Sequence, residues 1–301
     1  MNNAAQSTNH ILMIEPIAFA FNQETGVDNE FQHKPSVDST DIAQKARLEM
    51  IELRKQFIKA GVQVTSFVGR NDCPDDVFPN NWVSTTPDKG YVIYPMATPS
   101  RRRERRSDIV EWLKNSYELV VDLTAAESEG KAFEGTGVLV QDHINRRAYV
   151  ARSQRSDDSL CALWAKSTGY KEHIFDARDP KTGNPIYHTN VICHIGTGYA
   201  AICPEMIVEK DQNRIMRALG EFHELIVLSA EQIRNFSGNA LEVTNTQGER
   251  YLSLSDRAFE ALNSKQIDQY KNFVSGFIKT PIPTIEKHGG GSVRCMMCEL
   301  F

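Results

Sequence analysis

The chain has 301 residues, 41% hydrophobic and 24% charged, with a formal net charge of −5 and a pI near 5.9, the balance expected of a soluble globular protein. The acidic surplus leaves no electrostatic footprint for nucleic acid. No apolar run reaches the roughly 18 residues that a spanning helix needs, so no membrane partner is expected. Six cysteines are too sparse for a disulfide scaffold. The polar start "MNNAAQSTNH" lacks the basic-then-apolar pattern of a secretory signal. Together these predict a reduced, cytoplasmic protein.

Taken in chain order, the apolar run at 11–14, stopped by Pro16, predicts a buried strand. A helix over 39–60 follows, with Ile42, Ala46, Met50, Leu53 and Phe57 on one face and Gly61 where a helix favours its end. Strands are predicted for "VQVTSF" at 62–67 and "YVIY" at 91–94. A helix beginning near Thr98 and Pro99 carries Ile109, Trp112 and Leu113 inward. Strands at 118–121, 137–140 and 147–151 precede a helix at 157–168 and a strand near 172–176. "VICHI" and "YAAIC" read as a hairpin around Gly196, Thr197 and Gly198. A helix over 205–220, the apolar strand "ELIVLS", strands near 240–244 and 251–254 and a helix at 256–263 complete the pattern. About five helices flanked by pairs of short strands, with no Pro/Ser-rich linker, predict one α/β domain over 1–301. Neither a GxGxxG fingerprint nor a Walker loop is present.

The run "RRRERR" at 101–106 reads as a solvated helix face, or as the source of one arginine reaching a pocket for an anionic group. Cys295 and Cys298 form a C-x-x-C pair. Zinc would need a second ligand pair, and Cys193 and His194 alternate faces on a strand, so no metal is expected. A thioredoxin-type motif would open a helix early in a βαβ unit, whereas this pair ends the chain. Two inert thiols or a single nucleophile remain. A nucleophilic cysteine needs a histidine and a carboxylate to orient it. Of eight histidines, His10 and His33 lie in polar N-terminal stretches, and His143, His173 and His223 read as surface residues. His188, in "PIYHTNVICHIG", stands at the mouth of an apolar strand. Glu134, in "AFEGTGVLV", leads a Gly-rich approach to a buried strand. The glycines at 289–291 describe a tight loop that delivers Cys295.

These segments, in this order over about residues 10–299, resemble the guanidino-group-modifying, or amidinotransferase, superfamily, and most closely its citrulline-utilising hydrolases. The resemblance implies a five-bladed α/β propeller (pentein) of strand-helix-strand units. "GGGSVRCM" looks like the nucleophile loop, "HTN" like the segment opening on the catalytic histidine, and "FEGTG" like the one supplying its carboxylate. Cys295, His188 and Glu134 are then the catalytic set. "DDVFPNN" implies substrate-facing Asp75, Phe78 and Asn81, and "ARSQRS" implies that Arg155 holds a substrate α-carboxylate, with Arg102 or Arg103 as a second such arginine. Arginine deiminases carry aspartates where this chain has Asn81 and Asn190, and many relatives carry an acid at the place of Gly137. Two neutral amides remove the pairing that offsets burial of a guanidinium cation. They suit a ureido group, because an amide both donates and accepts. The expectation is cofactor-free hydrolysis of citrulline to ornithine, ammonia and carbon dioxide, with arginine or another guanidino compound as the alternative substrate. Backbone amides of the 289–294 loop would face the developing oxyanion.

Overall fold

Five stretches of the chain repeat one local pattern. A short inner strand turns back into an antiparallel middle strand, and a helix then carries the chain to an outer strand parallel to the middle one. In a computed structural model describing residues 5–35 and 39–301, the inner, middle and outer strands form five separate three-stranded sheets. They are β3 (Val83–Thr85), β4 (Gly90–Ile93) and β5 (Glu118–Asp122); β6 (Val140–Asp142), β7 (Arg147–Ala151) and β8 (Lys171–Phe175); β9 (Cys193–Gly196), β10 (Tyr199–Ile202) and β11 (Glu224–Val227); and β12 (Leu241–Thr244), β13 (Arg250–Ser255) and β14 (Gly276–Thr280). The last sheet is closed by both ends of the chain: β1 (His10–Glu15) runs parallel to β2 (Gln63–Val68), and β15 (Cys298–Glu299) pairs antiparallel with β1, Leu12 opposite Cys298. This is the expected five-bladed propeller. Residues 1–4 of the polar start lie outside the described residues.

Burial explains why each unit folds so. Ile11, Leu12, Met13 and Ile14 are all buried, as a strand covered on both faces requires. On the helix Ser39–Lys59 the five apolar positions named above are at most 2% exposed. Each large one contributes about 1.5–3 kcal/mol of transfer free energy. Among the described residues no helix is long and apolar enough to cross a membrane.

The structure departs from expectation at several places. The stretch 137–140 is not a strand: Gly135–Val138 is one helical turn, and β6 starts only at Val140. Gly135 has φ +44, and a Cβ there would stand 2.4 Å from the Asn80 carbonyl oxygen, so the backbone is held in a close approach that a strand would forfeit. The helix begun at Pro99 stops at Arg102 and resumes as Ser107–Lys114. "RRRERR" is therefore the break between helices and not a helix face. The helix Ser264–Lys271 and strand β14 carry no apolar run strong enough to predict them. His143, His173 and His223 are buried, contrary to the surface reading. His143 Nδ1 bonds the Tyr170 hydroxyl at 2.6 Å, His173 stacks on Tyr149, and His223 Nδ1 bonds the Leu219 carbonyl at 3.0 Å. His143 and His223 are hydrogen-bonded within the core, whereas the buried His173 Nε2 has no hydrogen-bond partner among the described residues.

Candidate active site

The fivefold plan explains where the functional side chains converge. Two or three residues before the inner strand of each sheet, a tight turn or loop points toward a common centre: Asn81 before β3, Gly137 before β6, Asn190 before β9, Asn239 before β12 and Cys295 before β15. Four of these approaches are helical turns, Pro79–Asn81, Gly135–Val138, Thr189–Val191 and Val293–Met296. Of the five residues, Asn81 and Cys295, with Asp75, Phe78, Arg101, Arg155, Tyr187 and His188, line a cavity of about 20 Å³, room for about one water. Gly137, Asn190 and Asn239 are not among its lining residues. A larger groove of about 960 Å³ elsewhere on the molecule contains none of the residues singled out from the sequence.

His188 and Glu134 meet as expected, with His188 Nε2 2.9 Å from Glu134 Oε2. Glu134 is fully buried, and its other oxygen accepts the Ala97 N–H at 3.1 Å. Burial pushes this carboxyl up, but the Arg155 guanidinium, His188 and Arg101 outweigh it and hold it well below the ordinary range. An ionised carboxylate only accepts, so Nε2 carries the imidazole hydrogen and Nδ1 keeps its lone pair. Burial lowers His188, opposed by Glu134, so the imidazole rests neutral at neutral pH.

Gly137 shows why the acid of many relatives is missing. A Cβ there would lie 2.4 Å from Asn81 Nδ2 and 2.8 Å from His188 Nδ1. The Asn81 amide and the imidazole already fill that space.

Cys295 is buried, and its Sγ has two side-chain amides beside it, Asn239 Nδ2 at 3.2 Å and Asn190 Nδ2 at 3.7 Å. Burial pushes its thiol up, opposed by Asn239, by the Ser292 backbone, by Arg294 and by Asn190. Asn190 also donates to the Thr136 carbonyl at 3.0 Å. The three glycines before the nucleophile serve close packing. A Cβ at Gly289 or Gly291 would stand 2.8 or 3.0 Å from the Phe78 ring. Gly290 has φ +66 and presses on Asn29. Of the loop amides expected to face an oxyanion, Gly290 N–H is already spent on the Glu286 carbonyl at 3.1 Å.

The arginines differ from expectation. Arg101, not Arg102 or Arg103, enters the site: it is 3% exposed, bonds Asn81 Oδ1 at 3.0 Å and grips Glu104 at 2.7 and 2.8 Å. Burial pushes Glu104 up to about 8 despite Arg101. Arg102 turns back to the Met96 carbonyl, and Arg103 reaches Asp72. Arg155 lines the cavity, but its guanidinium is shared between Glu134 at 3.1 Å and Asp28. A substrate carboxylate would have to replace Asp28 there. Asp75 accepts from Asn22 at 2.8 Å and Thr25 at 3.1 Å through Oδ2, while its buried Oδ1 has no partner. From the segment 22–32, Thr25, Asn29 and Gln32 line the cavity, while Asn22 and Asp28 engage Asp75 and Arg155. Sequence reading missed Arg101, Asn239 and Asp28. Only Arg101 left a trace, in the arginine run. Among the described residues no cluster of three or more His, Cys, Asp or Glu could hold a metal ion.

The chain is similar to several solved structures. One is the N-terminal domain of ArgZ, an arginine dihydrolase from the ornithine-ammonia cycle in cyanobacteria, solved with substrate: TM-score 0.74, 17% identity, covering 96% of this chain and 97% of that one. Unliganded AgrE gives a TM-score of 0.75 at 18% identity over 97% of this chain and 39% of that one. This chain also spans only 40% of a longer ArgZ chain. A dimethylarginine dimethylaminohydrolase bearing an adduct with S-methyl-L-thiocitrulline gives 0.65 at 13% identity, over 97% of this chain and 99% of that one. No curated protein matches the sequence. The model of the family "N,N dimethylarginine dimethylhydrolase, eukaryotic" matches residues 15–301, so the chain belongs to that family and, through it, to the guanidino-group-modifying pentein superfamily.

Proposed function

We propose that this member of a guanidino-group hydrolase family acts on the C–N bond of a ureido amino acid, with citrulline yielding ornithine, ammonia and carbon dioxide, and that residues 1–301 work as one catalytic domain. The observation carrying this reading is the setting of Cys295 Sγ, whose side-chain partners are both neutral amides, Asn190 and Asn239. In the proposed mechanism His188 Nδ1 takes the Cys295 proton, and the sulfur attacks the ureido carbon. His188 returns the proton to the amine that leaves, Glu134 stabilising the imidazolium in between. Water then cleaves the C–S bond, freeing Cys295 and leaving a carbamic acid that loses carbon dioxide to release the second amine, so one water is consumed for each ornithine, ammonia and carbon dioxide formed. Asp75 Oδ1, buried and unpartnered, is a proposed acceptor for the substrate α-ammonium. Six free, buried thiols support a reducing compartment, the cytoplasm.

A second reading, hydrolysis of arginine or a methylated arginine, is favoured by the family match. The two are separated by incubating the protein with citrulline, arginine and N,N-dimethylarginine and measuring amine release with the amino-acid product. Ornithine and ammonia in equal amounts from citrulline support the proposal. Citrulline formed from either cation overturns the substrate while keeping the chemistry. In the double variant Asn81→Asp with Asn190→Asp, kcat/KM for arginine relative to citrulline should rise at least about tenfold, since charge-assisted pairs are roughly twice as strong as neutral ones. An unchanged ratio would refute the charge argument.

A further inference from the structure

We infer that Asn239 is a catalytic residue whose side-chain amide holds the Cys295 sulfur as its thiolate. The inference rests on Cys295 being the nucleophile. Of the five segments that precede the inner strands, four supply residues that the sequence reading had singled out. The fifth, before β12, supplies Asn239 at the matching position. Its Nδ2 lies 3.2 Å from Sγ, nearer than the Asn190 amide, and also faces the Asn190 carbonyl and side-chain oxygens at 3.1 and 3.2 Å. The amide thus has two N–H donors for three acceptors, one of which is the sulfur, and its Oδ1 lies 3.6 Å from Sγ, where it can accept the thiol hydrogen.

The backbone is strained to achieve this. Phe236, a buried aromatic, has φ +62, in the left-handed region that bulky residues avoid, and its carbonyl accepts the Asn239 N–H at 2.9 Å. A Cβ on Gly238 would stand 2.1 Å from the Val191 carbonyl, so this loop is pressed against the turn that follows His188. Asn239 is fully buried. The neighbouring cation, Arg294, is committed to Glu299 at 3.0 Å and the Met297 carbonyl at 3.1 Å. With Arg294 so engaged, the side-chain donors beside the sulfur are the amides of Asn239 and Asn190. Hydrogen bonds to an ionised acceptor are the strong ones.

The test is alkylation of the intact protein by iodoacetamide across a pH series, read by mass spectrometry at Cys295, with Cys298 as internal control. In Asn239→Ser and the isosteric Asn239→Asp, the Cys295 midpoint should move up by about one unit, with about a tenfold slower reaction at pH 7. The aspartate should shift it further, because its charge opposes the thiolate. Cys298 should not change. A folded Asn239→Asp protein with an unmoved Cys295 midpoint would overturn the inference. The readout needs no turnover, so failure of the citrulline proposal leaves this result standing on its own.

Discussion

Replacing Cys295 with alanine should abolish turnover, while Cys298→Ala keeps most of it. The two thiols are three residues apart, yet their surroundings differ in kind. Cys295 faces the cavity that also holds His188 and Arg155, with amide donors directed at its sulfur. Cys298 sits on β15 among Leu12, Ile14, Trp82 and Leu300, its thiol donating weakly to the Val83 carbonyl at 3.6 Å. Burial and the adjacent Glu299 push the Cys298 thiol up to about 12, so it has no thiolate to offer at neutral pH. Its loss leaves a small void, and Cys298→Ala should lower stability by about 1 kcal/mol with kcat/KM intact. The measurement is steady-state kinetics beside a thermal melt. Equal loss of activity in both variants would restore a paired-cysteine site.

Glu134→Gln should reduce kcat by about a hundred- to ten-thousand-fold, the usual span of general acid–base catalysis. The glutamine keeps the shape and can still accept from His188 Nε2. It removes the charge that favours the imidazolium in the presence of Arg155 and Arg101. Burial holds His188 below its ordinary value of about 6.5 and Cys295 above its ordinary value of about 8.5. Between those limits the resting pair is a neutral thiol and a neutral imidazole, and kcat/KM should be flat. It falls on the acid side as His188 gains a proton, because a protonated imidazole cannot take the thiol proton. It falls on the alkaline side as Cys295 ionises, which leaves the imidazole with no proton to deliver. Because Glu134 raises His188, the Gln variant should move the acid limb to still lower pH; movement toward higher pH would contradict the assignment. Stability responds too. A carboxyl held low in the folded state contributes stability that is complete above its unfolded value of about 4.3 and is lost as pH falls. The Gln variant should lack that acid-side loss.

Much of the site could be read before any coordinates. Cys295, His188 and Glu134 could each be proposed because their motifs stand in the order of the superfamily they resemble; residue type alone left two inert thiols as an alternative. Their meeting could not be read, since Glu134 and His188 are brought together across 54 positions of the chain. Arg101 escaped because a run of five arginines offers five equivalent candidates. Arg101 lies in the short helix Pro99–Arg102, and only its packing decides that it turns inward. Arg155 lines the cavity, but its engagement with Asp28 is a contact between distant segments, and no local pattern encodes it.

The fold divides in the same way. Periodicity determined most of the strands and the crossover helices, because an apolar face must be buried wherever it occurs. It misread 137–140: the turn Gly135–Val138 enters that run from Gly135, where a side-chain Cβ would stand 2.4 Å from the Asn80 carbonyl oxygen. By itself, then, the sequence determined an α/β chain of strand-helix-strand units, while the proposed nucleophile, base and carboxylate came from ordered motifs that resemble those of a superfamily. The tertiary structure alone decided that five inner-strand approaches converge, which amides touch the sulfur, and that Asp28 engages Arg155. Those facts depend on how β15 closes the ring against β1, and a pairing between the two ends of a chain leaves no mark in any short window of it.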